Sequence, residues 1–544
     1  GASDKGQKEA VKEAEGTAKE DLPLAKYPET VTVHLGGKMN PNAKIPKGMS
    51  FEDNSYTRLL KENLNIQVVY DWTASTSDYD EKMSLCIGSN TIPEIMNVNA
   101  TQYRALLKYD MIQPLDKYFD DYASDALKSY VKSGGEELQK CITNEDGELM
   151  AIPAPNLTAG GVNEMWIRQD WLDALGLDVP RTWDELAEVA KAFVTRDPDG
   201  NGENDTIGIL GPGNSDHMNA VGGNQFGLDP LFSCFQSYPQ YWLKSEDGSV
   251  EYGSIQPETK TALENISKLY ADGVIDPETL VRSDSKEPLL AGKVGIFFGP
   301  WWCAYTFADT TLSGSADWRA YFTPLSEDGK YYTHMAEPTT QYVVASKDCK
   351  NPEAAFKIIN YLVANEQKWV EEGVTSTEMG TGDFYPLYNT YDNADEIEKS
   401  YEALTKYLAG DISMDDVDFS THKLLKNDME AVTKLKKKPY DDFSLKYWNL
   451  DSDLAKTNLP RLVAIMVGDA PLVNEEYVPV YNAYNGQTET MEAKWANLKK
   501  MEEETFAKII MGKADISEFD TFVKNWKNQG GDQILKEIND ELSK

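Results

Sequence analysis

The sequence predicts an α/β protein with a helical C-terminal elaboration, and three observations point there. Apolar runs with strand character alternate with helix-period segments through the first 360 residues. The last hundred residues lose the strand pattern and read almost entirely as helix, including 494–511 and 516–528. At 544 residues the chain is too long for one compact core, so two large lobes are expected.

Residues 1–22 carry almost no large apolar side chain and cannot offset their own ordering entropy, so they read as a flexible tether left after removal of a signal. Residues 29–35 alternate with period two and stop at Gly36-Gly37, a strand running into a loop. Residues 56–64 form an amphipathic helix and 66–70 a second strand, together a strand–helix–strand crossover. A helix at 82–87, a short strand at 92–98 and a helix at 103–109 follow. Residues 165–168 read as a strand and 170–175 as a short helix stopped by Gly176. Thr182 and Glu185 then stand in the relation of a capping box, and Leu186, Val189, Ala190, Phe193 and Val194 line one face of the helix that follows. Residues 292–299 are a buried-type strand delivering the chain to Pro300-Trp301-Trp302, and 341–345 are another strand. Asn351-Pro352-Glu353 opens a helix through Leu362, with proline at its first position.

The helix after Thr182 leads into Asp197-Pro198-Asp199-Gly200-Asn201-Gly202-Glu203-Asn204-Asp205, which puts oxygen ligands at alternate positions of a glycine-bent loop. That pattern suits Ca²⁺, a hard cation that collects six to eight oxygens. Asp197, Asp199, Asn201 and Asp205 would offer side chains and Glu203 its carbonyl, with Gly202 at the sharp turn. Position 12, usually a bidentate glutamate, is Gly208, and a β-like segment replaces the second helix of an EF-hand. The plainer alternative is a solvated Asx turn.

With 53 basic against 90 acidic residues the formal charge is −37, which repels nucleic acid and anionic lipid alike. No run of eighteen apolar residues occurs. Cys86, Cys141, Cys234, Cys303 and Cys349 are scattered without a C-x-x-C pair, as buried thiols rather than a zinc site or disulfide frame. The histidines His34, His217, His334 and His422 stand apart, and no H-E-x-x-H, G-x-S-x-G or phosphate loop occurs, so catalysis is not expected. A glycoside hydrolase needs only two carboxylates, and 90 acids leave that alternative open.

Trp166-Ile167-Arg168-Gln169-Asp170-Trp171-Leu172, Pro180-Arg181-Thr182-Trp183-Asp184-Glu185-Leu186, Gly292 through Trp302, and Asn351-Pro352-Glu353-Ala354-Ala355, in this order, resemble the extracellular solute-binding proteins of ABC sugar importers, in particular their large calcium-containing, oligosaccharide-binding branch in Gram-positive bacteria. The resemblance covers nearly the whole chain after the tether. It implies a periplasmic-binding-protein-like fold of two α/β lobes joined by crossing strands around a ligand cleft. The first lobe would hold 23–155 and 336–395, the second 156–335 and 396–544. It further implies a monomeric, lipid-anchored lipoprotein on the surface of a Gram-positive cell, delivering an oligosaccharide to permease subunits, with structural Ca²⁺ at the 197–205 loop. A carbohydrate-binding surface protein without a transporter is the other non-enzymatic reading.

Sugars present C–H faces and hydroxyls, so a sugar site combines aromatic rings with a few hydrogen-bonding groups. Trp301 and Trp302, at a strand end, are the best-placed of 12 tryptophans. Trp72 follows another strand, and His34, Asn99, Tyr342 and Trp448 are further candidates. Arg168 could clamp a ligand with its fork of donors or pair with a neighbouring acid. Glu337 is a comparable candidate, whereas Trp171 and Trp183 read as packing residues.

Overall fold

The computed structural model describes residues 9–214, 224–314, 316–371, 380–420, 422, 424–435 and 448–543. His217 lies outside the described residues. The expected α/β class is observed. The chain forms two compact units, one of Gly1–Asn156 with Pro338–Ala394 and the other of Leu157–Glu337 with Asp395–Lys544.

In the first unit, the strand Val31–Met39 pairs in parallel with Ile66–Ser75, and the helix Ser55–Leu64 connects them as the crossover pattern requires. The helix starts where the Asn54 side chain accepts from Tyr56 N and Thr57 N, at 3.0 and 3.2 Å. It stops at Asn65, whose φ of 58° breaks the helical run. Both strands run past the expected ends, because Gly36-Gly37 continues the ladder instead of closing it. A second, antiparallel sheet has Thr339–Ala345 at its centre between Ile95–Val98 and Ile152–Pro155. Its side chains join Leu60, Ile66, Val68 and Phe356 in one core. The helix Glu353–Glu371 extends beyond Leu362 and begins one residue after Pro352.

The tether expectation fails from Val11 onward. Val11 N donates to Asn351 Oδ1 at 3.0 Å and Asn351 Nδ2 donates back to Val11 O at 2.9 Å. The fully buried Lys357 ammonium lies 2.6 Å from Glu13 Oε1 and 3.8 Å from the Tyr27 ring centroid. A short 3₁₀ turn, Lys19–Leu24, carries the chain across. Composition pointed the other way because this segment supplies polar clasps to a ready-made surface rather than a hydrophobic stripe of its own.

The second unit is built on a four-stranded sheet ordered Trp318–Tyr321, Glu164–Arg168, Val294–Gly299, Ile207–Ile209. Met165 pairs with Phe298, Trp166 with Phe297, and Ile167 with Ile296. Successive side chains point to opposite faces, so Trp166 and Phe297 enter one core while Met165, Ile167, Ile296 and Phe298 enter another. Burial on both faces explains the continuous apolar run before Gly299. The helix Trp183–Thr195 realises the Thr182 half of the expected box, Glu185 N donating to Thr182 Oγ1 at 3.2 Å. After Asp395 the unit is almost wholly helical, ending in Glu489–Ile510, Glu518–Trp526 and Asp532–Leu542. All five cysteines are free thiols, and all but Cys141 are buried. No helix among the described residues is long and apolar enough to cross a membrane.

Candidate functional site

The first unit gathers polar and aromatic groups at an irregularity within its parallel strand pair. The ladder slips between Leu35 and Gly36, so Leu35 faces Tyr70 while Gly36 faces Trp72, leaving Asp71 as the extra residue of a bulge. A bulge re-aims a side chain, and here Asp71 Oδ1 comes within 2.7 Å of His34 Nδ1, the geometry of an N–H donating to a carboxylate. His34 N also donates to Glu94 Oε2 at 3.2 Å, and burial pushes the Glu94 carboxyl above its ordinary value. Trp72 lies flat on Gly36, where a Cβ would stand 2.5 Å from the indole, so only glycine admits the ring. Its other neighbour is Tyr79, with centroids 5.4 Å apart, and the Lys82 ammonium stands 6.0 Å from the indole. The indole Nε1 is buried and has no hydrogen-bond partner among the described residues. A half-exposed ring beside an oriented imidazole and two carboxylates can stack on a sugar face and bond its hydroxyls.

In the second unit the strand Val294–Gly299 ends in a 3₁₀ turn, Trp301–Cys303, that carries both predicted tryptophans. Trp301 is 8% exposed, and its indole Nε1 has no hydrogen-bond partner among the described residues; Trp302 is half-buried on the same core. Three carboxyls that the sequence reading did not single out belong to the same unit. Glu164 pairs with Gly299 in the sheet, Asp469 follows Gly468, where a Cβ would stand 2.6 Å from Trp301 O, and Glu398 lies against Asp469. Glu164 and Asp469 are fully buried. Burial, reinforced by the neighbouring acids, raises both well above the carboxylate range, and Glu398 is pushed up to about 7, mainly by burial. A proton shared between Glu398 and Asp469 avoids two adjacent buried charges. Nothing in local sequence marks them, since they come from a strand, a helix and a turn that lie well apart in the chain.

Several predicted ligand residues serve elsewhere. Arg168 grips Asp170 through Nε at 2.9 Å and Nη2 at 2.7 Å, and its guanidinium lies 4.7 Å from the Trp171 ring centroid and 5.8 Å from that of Trp318. The salt-bridge alternative is therefore the one realised. Tyr342 stacks on Tyr103 at 4.4 Å inside the first core, and Trp448, 1% exposed, is part of a core of the second unit; neither offers a ring to a ligand. The Asn99 side-chain oxygen accepts from Gln102 N at 2.9 Å, capping the helix Ala100–Lys108. Glu337 lines a separate cavity of the second unit, beside Trp242 and Trp495.

The 197–205 loop has the backbone its glycines promised, with φ of 65° at Gly200 and 77° at Gly202. Asp197 Oδ2 accepts from Gly202 N at 2.9 Å and Asn201 Nδ2 donates to Asp205 Oδ2 at 2.9 Å. The Lys293 ammonium lies 3.3 Å from Asp199 Oδ2 and 2.7 Å from Asp205 Oδ2. Its bond holds the Asp205 carboxyl below the ordinary range. Among the described residues no three Asp, Glu, His or Cys side chains converge on a metal position. The donor types still suit calcium, and Asp197 Oδ1 is buried without a hydrogen-bond partner among the described residues.

Residues 44–369 match the family of bacterial extracellular solute-binding proteins. The fructooligosaccharide ABC transporter substrate-binding protein FusA of Streptococcus pneumoniae is 30% identical over 259 residues, 44% of this chain and 45% of that protein. The polygalacturonan/rhamnogalacturonan-binding protein YtcQ of Bacillus subtilis is 23% identical over 519 residues, 92% of each chain. The match thus spans less than half the length of FusA and nearly all of YtcQ. Among solved structures, the HMO-binding, ABC-transporter-associated solute-binding protein of Bifidobacterium longum infantis superposes with a TM-score of 0.55 at 18% identity, covering 94% of this chain and 98% of that one. That likeness establishes the fold.

Proposed function

The chain belongs to the bacterial extracellular solute-binding protein family, and from that membership we propose that it is the substrate-binding component of an ABC importer, capturing an oligosaccharide outside the cell and delivering it to permease subunits. The observation that carries the reading is the group at the bulge of the first unit's parallel strand pair. There the Trp72 ring, the His34–Asp71 pair and Glu94 combine a stacking face with fixed donors and acceptors. In the second unit the half-buried Trp302, at the end of the strand Val294–Gly299, offers a further aromatic face. FusA and YtcQ are named for different saccharides, so the class their names share is carbohydrate. A lipid anchor on a Gram-positive cell surface and a monomeric state complete the proposal.

We further propose structural calcium at the 197–205 loop, held by the Asp197, Asp199, Asn201 and Asp205 side chains with the Glu203 carbonyl. Bound there, the ion supplies a clamp on the turn between the helix Trp183–Thr195 and the strand Ile207–Ile209. Lys293 has to turn away from Asp199 and Asp205 to admit it.

The functional reading is tested by calorimetric titration of the full chain with fructo-oligosaccharides, oligogalacturonides and α-glucan oligomers, followed by chromatography of the mixtures. Saturable binding with the sugar recovered intact is expected. Sustained release of shorter sugars identifies a hydrolase instead, and binding of peptides alone overturns the substrate class.

A further inference from the structure

The second unit holds a cavity of about 430 Å³ whose lining includes neither Trp301 nor Trp302, within the roughly 300–1,000 Å³ typical of small-molecule sites. Its wall is built from four separate parts of the chain. The strand Trp242–Lys244 contributes Trp242, the segment after Val478–Val480 contributes Asn482, and the helix Glu489–Ile510 contributes Trp495 and Lys499; Glu337 closes one side. These parts are tied together: Trp242 N donates to Asn482 Oδ1 at 2.8 Å, and Ala483 N donates to Trp242 O at 2.8 Å. Trp495 is half-buried, with its centroid 5.5 Å from that of Trp242 and 5.5 Å from that of Tyr252. One part of the indole is thus fixed by packing while another lines the cavity.

Gln240 adds an independent observation. It is a non-glycine residue held at φ 66°, a costly conformation for a side-chain-bearing residue, and its N–H is anchored on Ser254 Oγ at 2.7 Å. Gln240 lines this cavity, and its side-chain Nε2 is buried and without a hydrogen-bond partner among the described residues. A fixed indole, amides from Gln240 and Asn482, one carboxylate and one ammonium in a small cavity match a pyranose or furanose ring with its hydroxyls. They do not match phosphate, which asks for several cations, or an apolar side chain, which leaves the amide unpaired.

We propose that this cavity, with Trp495 as stacking platform and Gln240 as hydroxyl ligand, is a saccharide subsite carried wholly by the second unit. This rests on the oligosaccharide reading above and extends it to residues outside the strand ends. The test is titration of the full chain, wild type and variants, with fructo- and α-glucan oligosaccharides, melting each variant in parallel. Trp495→Ala is expected to weaken binding of the best oligomer about tenfold, Trp495→Phe to restore most of it, and Gln240→Ala to lose several-fold. Lys499→Ala serves as a second probe of the wall should Trp495→Ala melt early. Affinities within about twofold of wild type in Gln240→Ala, Lys499→Ala and folded Trp495→Ala, with sugar binding otherwise intact, overturn the subsite alone. Failure of the wild type to bind any saccharide removes the functional reading and the subsite together.

Discussion

Arg168 shows how a side chain of the right type can be in the wrong service. Its fork is satisfied by Asp170 and its guanidinium lies beside the Trp171 and Trp318 rings, so its contribution is to packing at the end of an inner strand of the second unit's sheet. Arg168→Ala should lower unfolding free energy by about 2–3 kcal/mol, read from the denaturant midpoint, while saccharide affinity stays unchanged in calorimetry. A loss of affinity at unchanged stability would return Arg168 to the ligand site. Tyr342 and Trp448 teach the same lesson, since residue type says aromatic while only the surrounding fold says inside or outside. His34 was legible as a candidate because it sits on the first strand, but its partner Asp71 depends on a register slip that no spacing rule announces.

At the scale of elements, the strand–helix–strand opening and the strand before Trp301 were readable because the apolar period sets which face is buried. The turn chemistry of 197–205 was readable for a similar reason, as its glycines and Asx residues bend the chain wherever they occur. Lys293 was not, for it arrives from the start of the neighbouring strand, some ninety residues on in the chain, to pair with Asp199 and Asp205. Lys293→Ala removes that competing cation, so calcium affinity by titration calorimetry should rise several-fold, and the apo protein should melt lower. In the wild type, calcium at a hundredfold excess over its dissociation constant should stabilise by about 2.7 kcal/mol relative to chelator. Identical melting with calcium and with chelator, in both proteins, sinks the metal clamp. The segment from Val11 to Leu24 lies at the opposite extreme of legibility, because its order comes from Asn351 and Lys357 on a distant helix start.

For the whole molecule the governing quantity is negative charge, −37 over the chain, with acids buried in the second unit among other acids. Glu398, facing Asp469 and flanked by Asp395 and Glu402, keeps its proton up to about 7 when folded but releases it near the ordinary 4.5 when unfolded. Between those values the folded chain binds more protons than the unfolded chain, so stability falls as pH rises across the window, by an amount on the order of 3 kcal/mol. General charge repulsion acts in the same direction. Scanning calorimetry should therefore give a higher melting temperature at about pH 5 than at about pH 8, and Glu398→Gln should flatten the difference. A melting temperature that rises toward pH 8 contradicts this account. The sequence by itself determined the α/β alternation, the helical C-terminal region, the glycine-bent acidic loop and the strand ends on which aromatic residues sit, because each follows from neighbours within one or two turns of chain. The tertiary structure alone decided that Asp71 meets His34, that Lys293 enters the acidic loop, and that Glu164, Glu398 and Asp469 are brought together in burial. Those meetings join residues tens to hundreds of positions apart, where burial and charge depend on which surfaces the completed fold presses together.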